Sequence, residues 1–149
     1  MAPCRAVHSP GSHSIGTSHC AAFQKRLYNF TGAMDQDPTL DAGYARKLKK
    51  LCPRAGARGR TKVPIDPGSG FVFDLNYYRH VLETGGLFQS DGSLLHDAVT
   101  RGYVEKMANA SSPDEYYKDF AEAMVKMGRT DVLDGHLGEV RATCGVFVD

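Results

Sequence analysis

The sequence predicts a mainly α-helical chain, its helices joined by long loops. Three observations predict it. Apolar side chains recur at three- and four-residue spacing in several segments. Most of those segments open on Asp or Ser, twice with a proline directly behind. Glycine and proline break the chain between them, with 16 Gly and 7 Pro in 149 residues.

Taken in order, residues 1–12 read as irregular, because Pro3, Pro10 and Gly11 oppose regular structure. Ser18 to Phe30 fits a short helix. Asp37-Pro38 reads as an N-cap with proline in the first turn, and Leu40, Tyr44, Leu48 and Leu51 follow at helical spacing until Cys52-Pro53. Residues 53–73 read as loop, with Pro67-Gly68-Ser69-Gly70 the strongest turn signal. Asp74 caps a helix that runs to about Glu83 and stops at Gly85-Gly86. A short helix starts at Ser90 or Asp91, and another covers Asp97 to Ala108. Ser112-Pro113-Asp114-Glu115 reads as a capping box. Behind it Tyr116, Phe120, Met124 and Met127 share one face, read as core, and Gly128 closes the helix. Val140, Ala142, Val146 and Val148 hint at an extended tail.

Length and composition bound the function. A chain of 149 residues, 42% apolar, is one domain with a core of its own. A net charge of +1 gives no electrostatic footprint for nucleic acid, and Arg54, Arg58 and Arg60 read as a solvated loop. No apolar run is long enough to span a bilayer. Met1 to Gly11 has no apolar core, so no signal peptide is expected in this chain. The cysteines, at 4, 20, 52 and 144, form no C-x-x-C pair. Asn29-Phe30-Thr31 and Asn109-Ala110-Ser111 are sequons, which matter only in a secreted protein.

The chemistry-bearing residues cluster near the start. His13 stands in Gly11-Ser12-His13-Ser14-Ile15-Gly16, seven residues before Cys20. Alone, a loop histidine reads either as solvent-exposed or as a ligand. Cys4, His8, His13, His19 and Cys20 also have zinc-ligand chemistry, although their spacing matches no familiar zinc module. Asp91 reads either as a helix cap or as an acceptor for another side chain. Asp66, Ser69, Val72 and Asp74 string oxygen donors across a turn, and read either as turn and cap or as a hard-cation site. His80, His96 and His136 read as surface residues.

These strings together resemble plant-type secretory (class III) haem peroxidases. Besides the histidine segment, the resemblance is carried by Arg26-Leu-Tyr-Asn-Phe, Asp37-Pro-Thr-Leu, Leu51-Cys-Pro, Phe73-Asp-x-x-Tyr-Tyr, Gly86-Leu-x-Gln-Ser-Asp91, Ala123-Met-x-x-Met-Gly and Gly138-Glu-x-Arg-x-x-Cys144. It implies the proximal, C-terminal half of the haem-peroxidase fold over residues 13–149, behind an unmatched 1–12. It implies haem b, with His13 as axial ligand and Asp91 as the carboxylate behind it. It implies calcium held by Ser14, Asp66, Ser69, Asp74 and the Val72 carbonyl. It implies a Cys20–Cys52 disulfide, leaving Cys4 and Cys144 without an assigned pairing. The implied activity is oxidation of small phenolic-type donors by hydrogen peroxide, with peroxide removal under oxidative stress as its setting. The implied location is extracellular or vacuolar. No segment here matches the distal histidine and arginine of such enzymes, so low turnover is expected from this chain alone. The missing N-terminal half is a candidate partner, and apolar surface is expected to be exposed where it would lie. The alternative is a truncated, non-enzymatic fragment that binds haem weakly or does not fold.

Overall fold

The computed structural model describes residues 11–54, 61–130, 132 and 138. The readings on Cys4, His8, His136, Cys144 and the extended tail lie outside these residues. The described chain is mainly helical, as expected: six α-helices, two short 3-10 turns and one two-stranded sheet. In chain order these are a 3-10 turn at Ser12–Ser14, β1 (Thr17–His19), a 3-10 turn at Cys20–Ala22, α1 (Gln24–Tyr28), α2 (Ala42–Leu51), β2 (Lys62–Pro64), α3 (Asn76–Thr84), α4 (Gln89–Ser93), α5 (Ala98–Ala108) and α6 (Asp114–Gly128).

Two cores form. One is built on α3, α5 and α6: Tyr77, Tyr78, Val81, Val104, Met107 and Tyr116 are all buried there. The other joins α1 and α2 through Phe23, Leu27, Tyr44, Leu48 and the cysteine pair. Cys20 and Cys52 form the expected disulfide, across a separation of 32 residues.

Five local expectations are corrected by the structure. The helix foreseen over 18–30 shrinks to α1, because Thr17–His19 instead pairs antiparallel with Lys62–Pro64, and the Cys20 amide donates to the Thr61 carbonyl. The same pairing puts a strand inside the stretch read as loop. Asp37 does not cap α2. That role falls to Asp41, whose carboxylate accepts from the Tyr44 amide (2.7 Å). The Asp37 carboxylate is turned inward to Arg26 and Thr39. Ser112 and Glu115 form no capping box: the Ser112 hydroxyl bonds Asp114, while Glu115 pairs with Lys106. On α6 only Tyr116 and Phe120 join the core, and Met124 and Met127 are exposed.

Other boundaries follow the sequence. Asp97 caps α5 by accepting from the Val99 and Thr100 amides (3.0 and 3.1 Å). Asp74 accepts from the Asn76 amide at the start of α3 (2.8 Å). Gly85, in the left-handed region at φ 79°, ends α3, its amide donating to the Val81 carbonyl.

Candidate functional site

The 3-10 turn at Ser12–Ser14 presents His13 toward the start of α4. The ring Nδ1 lies 2.9 Å from Asp91 Oδ1. A carboxylate oxygen can only accept, so Nδ1 carries the proton, and in the neutral ring Nε2 keeps its lone pair. Asp91 is fully buried, whereas the His13 side chain retains 29% exposure. One nitrogen is therefore held from behind, and the ring still reaches open space.

Three donors converge on the Asp91 carboxylate. Oδ1 accepts from His13 and from the Tyr77 hydroxyl (3.0 Å). Oδ2 accepts from the Phe88 amide (2.7 Å). Burial, and then the neighbouring Asp91 charge, push the Tyr77 phenol well above its usual range, so it remains a donor. Asp91 is the third residue of α4, and its bond to the Phe88 amide satisfies one of the free amides at that helix start. Asp91 is therefore not the N-cap that the sequence offers, since Phe88 holds that position; from inside the first turn its carboxylate serves the helix start and the imidazole together. The Phe88 ring packs on His13 at a centroid distance of 4.8 Å. Gly86, at φ 66°, permits the close approach: a Cβ there would collide with Asp91 Cβ.

The oxygen-rich turn lies next to this segment. Gly16 ties to it twice, its amide donating to the Gly70 carbonyl (2.7 Å) and its carbonyl accepting from the Ile65 amide (3.1 Å). Asn76 joins the two carboxylates, its side chain donating to Asp66 Oδ1 (2.7 Å) and its amide to Asp74 Oδ1 (2.8 Å). The Ser69 hydroxyl donates to Asp74 Oδ2 (2.5 Å). Asp66 is fully buried, yet its Oδ2 has no hydrogen-bond partner among the described residues. Burial, with the Asp74 charge adding to it, pushes the Asp66 carboxyl up to about 6. Ser14 is buried nearby, its hydroxyl 3.3 Å from that of Tyr116, which in turn donates to the Gly11 carbonyl (2.8 Å). Asp66, Ser69 and Asp74 are brought together, while the Ser14 hydroxyl is engaged by Tyr116. The Val72 amide donates to the Ser69 carbonyl (2.8 Å), and its side chain is exposed.

The zinc alternative loses Cys20, which is spent in the disulfide. Among the described residues, no three His, Cys, Asp or Glu side chains gather as a metal cluster. His80 is not a surface residue: it is partly buried, edge-on to the Tyr44 ring. His96 is exposed as expected. Apolar side chains are also exposed beside the site, among them Ile15, Phe71 and Val72. No helix among the described residues is long and apolar enough to cross a membrane.

A family model described as Peroxidase matches residues 7–110. The chain belongs to the peroxidase family. It is 48% identical over 137 residues to Peroxidase 1 of Oryza sativa subsp. japonica, covering 90% of this chain and 42% of that protein. It is 47% identical over 137 residues to Peroxidase 5 of Vitis vinifera, covering 92% and 41%. Peroxidase 39 of Arabidopsis thaliana is 47% identical over 134 residues, covering 90% and 41%. The chain spans about two fifths of the length of these curated relatives. Tyr77 and Phe88 are the site residues that sequence reasoning missed. Phe88 had a signal, since a helix with Asp91 in its first turn offers the carboxylate to the amide just before the helix.

Proposed function

We propose that this chain forms the proximal wall of a haem peroxidase, with His13 Nε2 as the donor that would hold the iron of haem b. The observation that carries the reading is the 2.9 Å bond from Nδ1 to a buried carboxylate, on a ring that keeps 29% exposure and whose other nitrogen is left for a ligand. The donor set fits the group: a neutral imidazole, oriented through its second nitrogen, is a common way of holding a metal. Bound there, haem supplies the reduction of hydrogen peroxide and the one-electron oxidation of small phenolic donors. His13 would hold the iron through Nε2. Asp91 keeps the proton on Nδ1 and, by drawing on it, makes Nε2 a stronger donor. Tyr77 and the Phe88 amide fix the carboxylate so that it cannot swing away. The Phe88 ring packs on the imidazole and restricts its rotation.

Calcium belongs to the same reading. The unpartnered Asp66 Oδ2 beside a second carboxylate is an arrangement that a hard cation would complete. Asp66, Ser69, Asp74 and the Val72 carbonyl would hold it, with Ser14 joining once its hydroxyl turns from Tyr116. The ties from Gly16 to the 65–70 turn would carry that rigidity to the His13 segment. An exported setting, extracellular or vacuolar, suits the disulfide, which would not persist in a reducing cytosol.

Residues matching the family's distal histidine and arginine are not found in these 149 residues, so turnover by them alone is expected to be low. Haem titration followed by absorption tests the reading. A histidine-ligated Soret band, lost in His13→Ala, supports it. A chain that folds yet gives no band in either form refutes it and favours the non-enzymatic fragment.

A further inference from the structure

Arg26 is a buried charge outside the His13 site and the oxygen-rich turn. It lies on α1, 2% exposed, in a run whose neighbours Phe23 and Leu27 are core residues. Its partners account for its burial. Nε donates to Asp37 Oδ2 (2.7 Å). Nη1 donates to the carbonyls of Gly86 (2.9 Å) and Phe88 (2.8 Å), with a longer contact to Gly85 (3.4 Å). Nη2 reaches the Thr39 hydroxyl and the Gly85 carbonyl, both at 3.4 Å. Asp37 is itself held by the amide and hydroxyl of Thr39 (2.9 and 2.7 Å). Burial alone would raise the Asp37 carboxyl, but these bonds and the Arg26 charge outweigh it and hold the group below its usual range.

Three of those carbonyls belong to the segment that leads into α4. Phe88 is the joint. Its carbonyl is held by Arg26, its amide by Asp91, and its ring lies on His13. The guanidinium also abuts α4 itself, since a Cβ at Gly92 would sit 3.1 Å from Nη2. A planar fork with five N–H groups can span three carbonyls and a carboxylate at once; an ammonium cannot.

We propose that Arg26 is a positioning residue for the His13–Asp91 pair: by clamping the Gly85, Gly86 and Phe88 carbonyls, it sets the amide and ring of Phe88 that fix the carboxylate and the imidazole. The inference rests on the reading of His13 and Asp91 as the ligand and its orienter. It adds a third layer: a charge on α1 that touches neither residue governs the tautomer of one through the placement of the other. The Asp37 carboxylate balances that charge, so the clamp adds no net charge beside Asp91.

The test reads the tautomer of His13 in the haem-free chain. Two-bond proton–nitrogen correlation spectra of the imidazole, taken where free imidazole is neutral, distinguish Nδ1–H from Nε2–H. The wild-type chain is expected to show Nδ1–H alone. Arg26→Lys keeps the charge but not the fork. It is expected to give a mixture of tautomers and a loss of haem affinity of roughly 10- to 100-fold, the range for partners behind a metal ligand. Circular dichroism confirms folding in each case. An Arg26→Lys chain that is folded, purely Nδ1–H and of wild-type haem affinity overturns the proposal, since a merely structural arginine would lower stability and leave the tautomer alone. Should Arg26→Lys fail to fold, Asp37→Asn leaves the guanidinium in place but releases one anchor, and an unchanged tautomer there overturns the proposal equally. A tautomer that responds to Arg26 in a chain that never binds haem removes the haem reading and keeps the clamp. A haem site insensitive to Arg26 does the reverse.

Discussion

Replacing Asp91 with asparagine keeps the shape of the side chain and removes one of its two acceptors. In this structure the carboxylate needs both. Oδ1 serves His13 and Tyr77, and Oδ2 serves the Phe88 amide. With the amide oxygen at the Oδ1 position, the new NH2 faces the Phe88 N–H across a 2.7 Å gap, donor against donor. With the side chain flipped, Phe88 is served and both His13 and Tyr77 lose their acceptor. The first arrangement is the less costly, leaving one buried amide unsatisfied, a penalty of about 1–3 kcal/mol. Relief of a buried charge offsets part of it. Asp91→Asn is therefore expected to lose about 2 kcal/mol by urea denaturation, with an unchanged m-value. Loss under about 0.5 kcal/mol would refute the idea that three donors depend on this carboxylate.

Other outcomes follow from the same contacts. Burial lowers the His80 imidazole from 6.5 to about 4, outweighing the opposing pull of Asp91. Between those values the unfolded chain binds a proton at His80 that the folded chain refuses, so the His80 contribution to stability falls as pH drops through that window, while the raised Asp66 carboxyl contributes with the opposite sign as pH drops through about 6. The His80 loss is up to about 3 kcal/mol, with none above its window, and thermal melts of His80→Gln should lack that slope. Removing the Cys20–Cys52 disulfide by a double serine substitution frees a loop with a separation of 32 residues, and unfolding should become easier by about 3–4 kcal/mol on the chain-entropy model. Calcium at a hundredfold excess over its dissociation constant should stabilise the wild-type chain by about 2.7 kcal/mol. The same addition should leave Asp66→Asn unmoved, and an equal response in both would place the ion elsewhere.

What was legible in the sequence follows from range. The starts of α3 and α5 were readable because Asp74 and Asp97 bond amides two or three residues away. The His13–Asp91 pair was readable only through resemblance, since its partners lie 78 residues apart and nothing local joins them. Asp37-Pro38 has every local mark of a cap, yet a guanidinium eleven residues upstream takes the carboxylate, and the cap moves to Asp41. The strands were missed because three residues each carry no periodicity, and their pairing depends on contacts across 45 positions. Arg26 did leave a trace: a charged residue at helical spacing on the face of Phe23 and Leu27 is either snorkelling outward or paired inside. Only the fold shows that it is paired inside.

Resonance Raman spectroscopy of the ferrous haem complex, prepared with and without 15N-labelled histidine, tests the central claim most directly. With His13 on the iron, an iron–nitrogen stretching band is expected that moves on labelling, shifts in frequency in Asp91→Asn, and vanishes in His13→Ala. A band present in His13→Ala, or indifferent to the label, would mean that another group holds the iron.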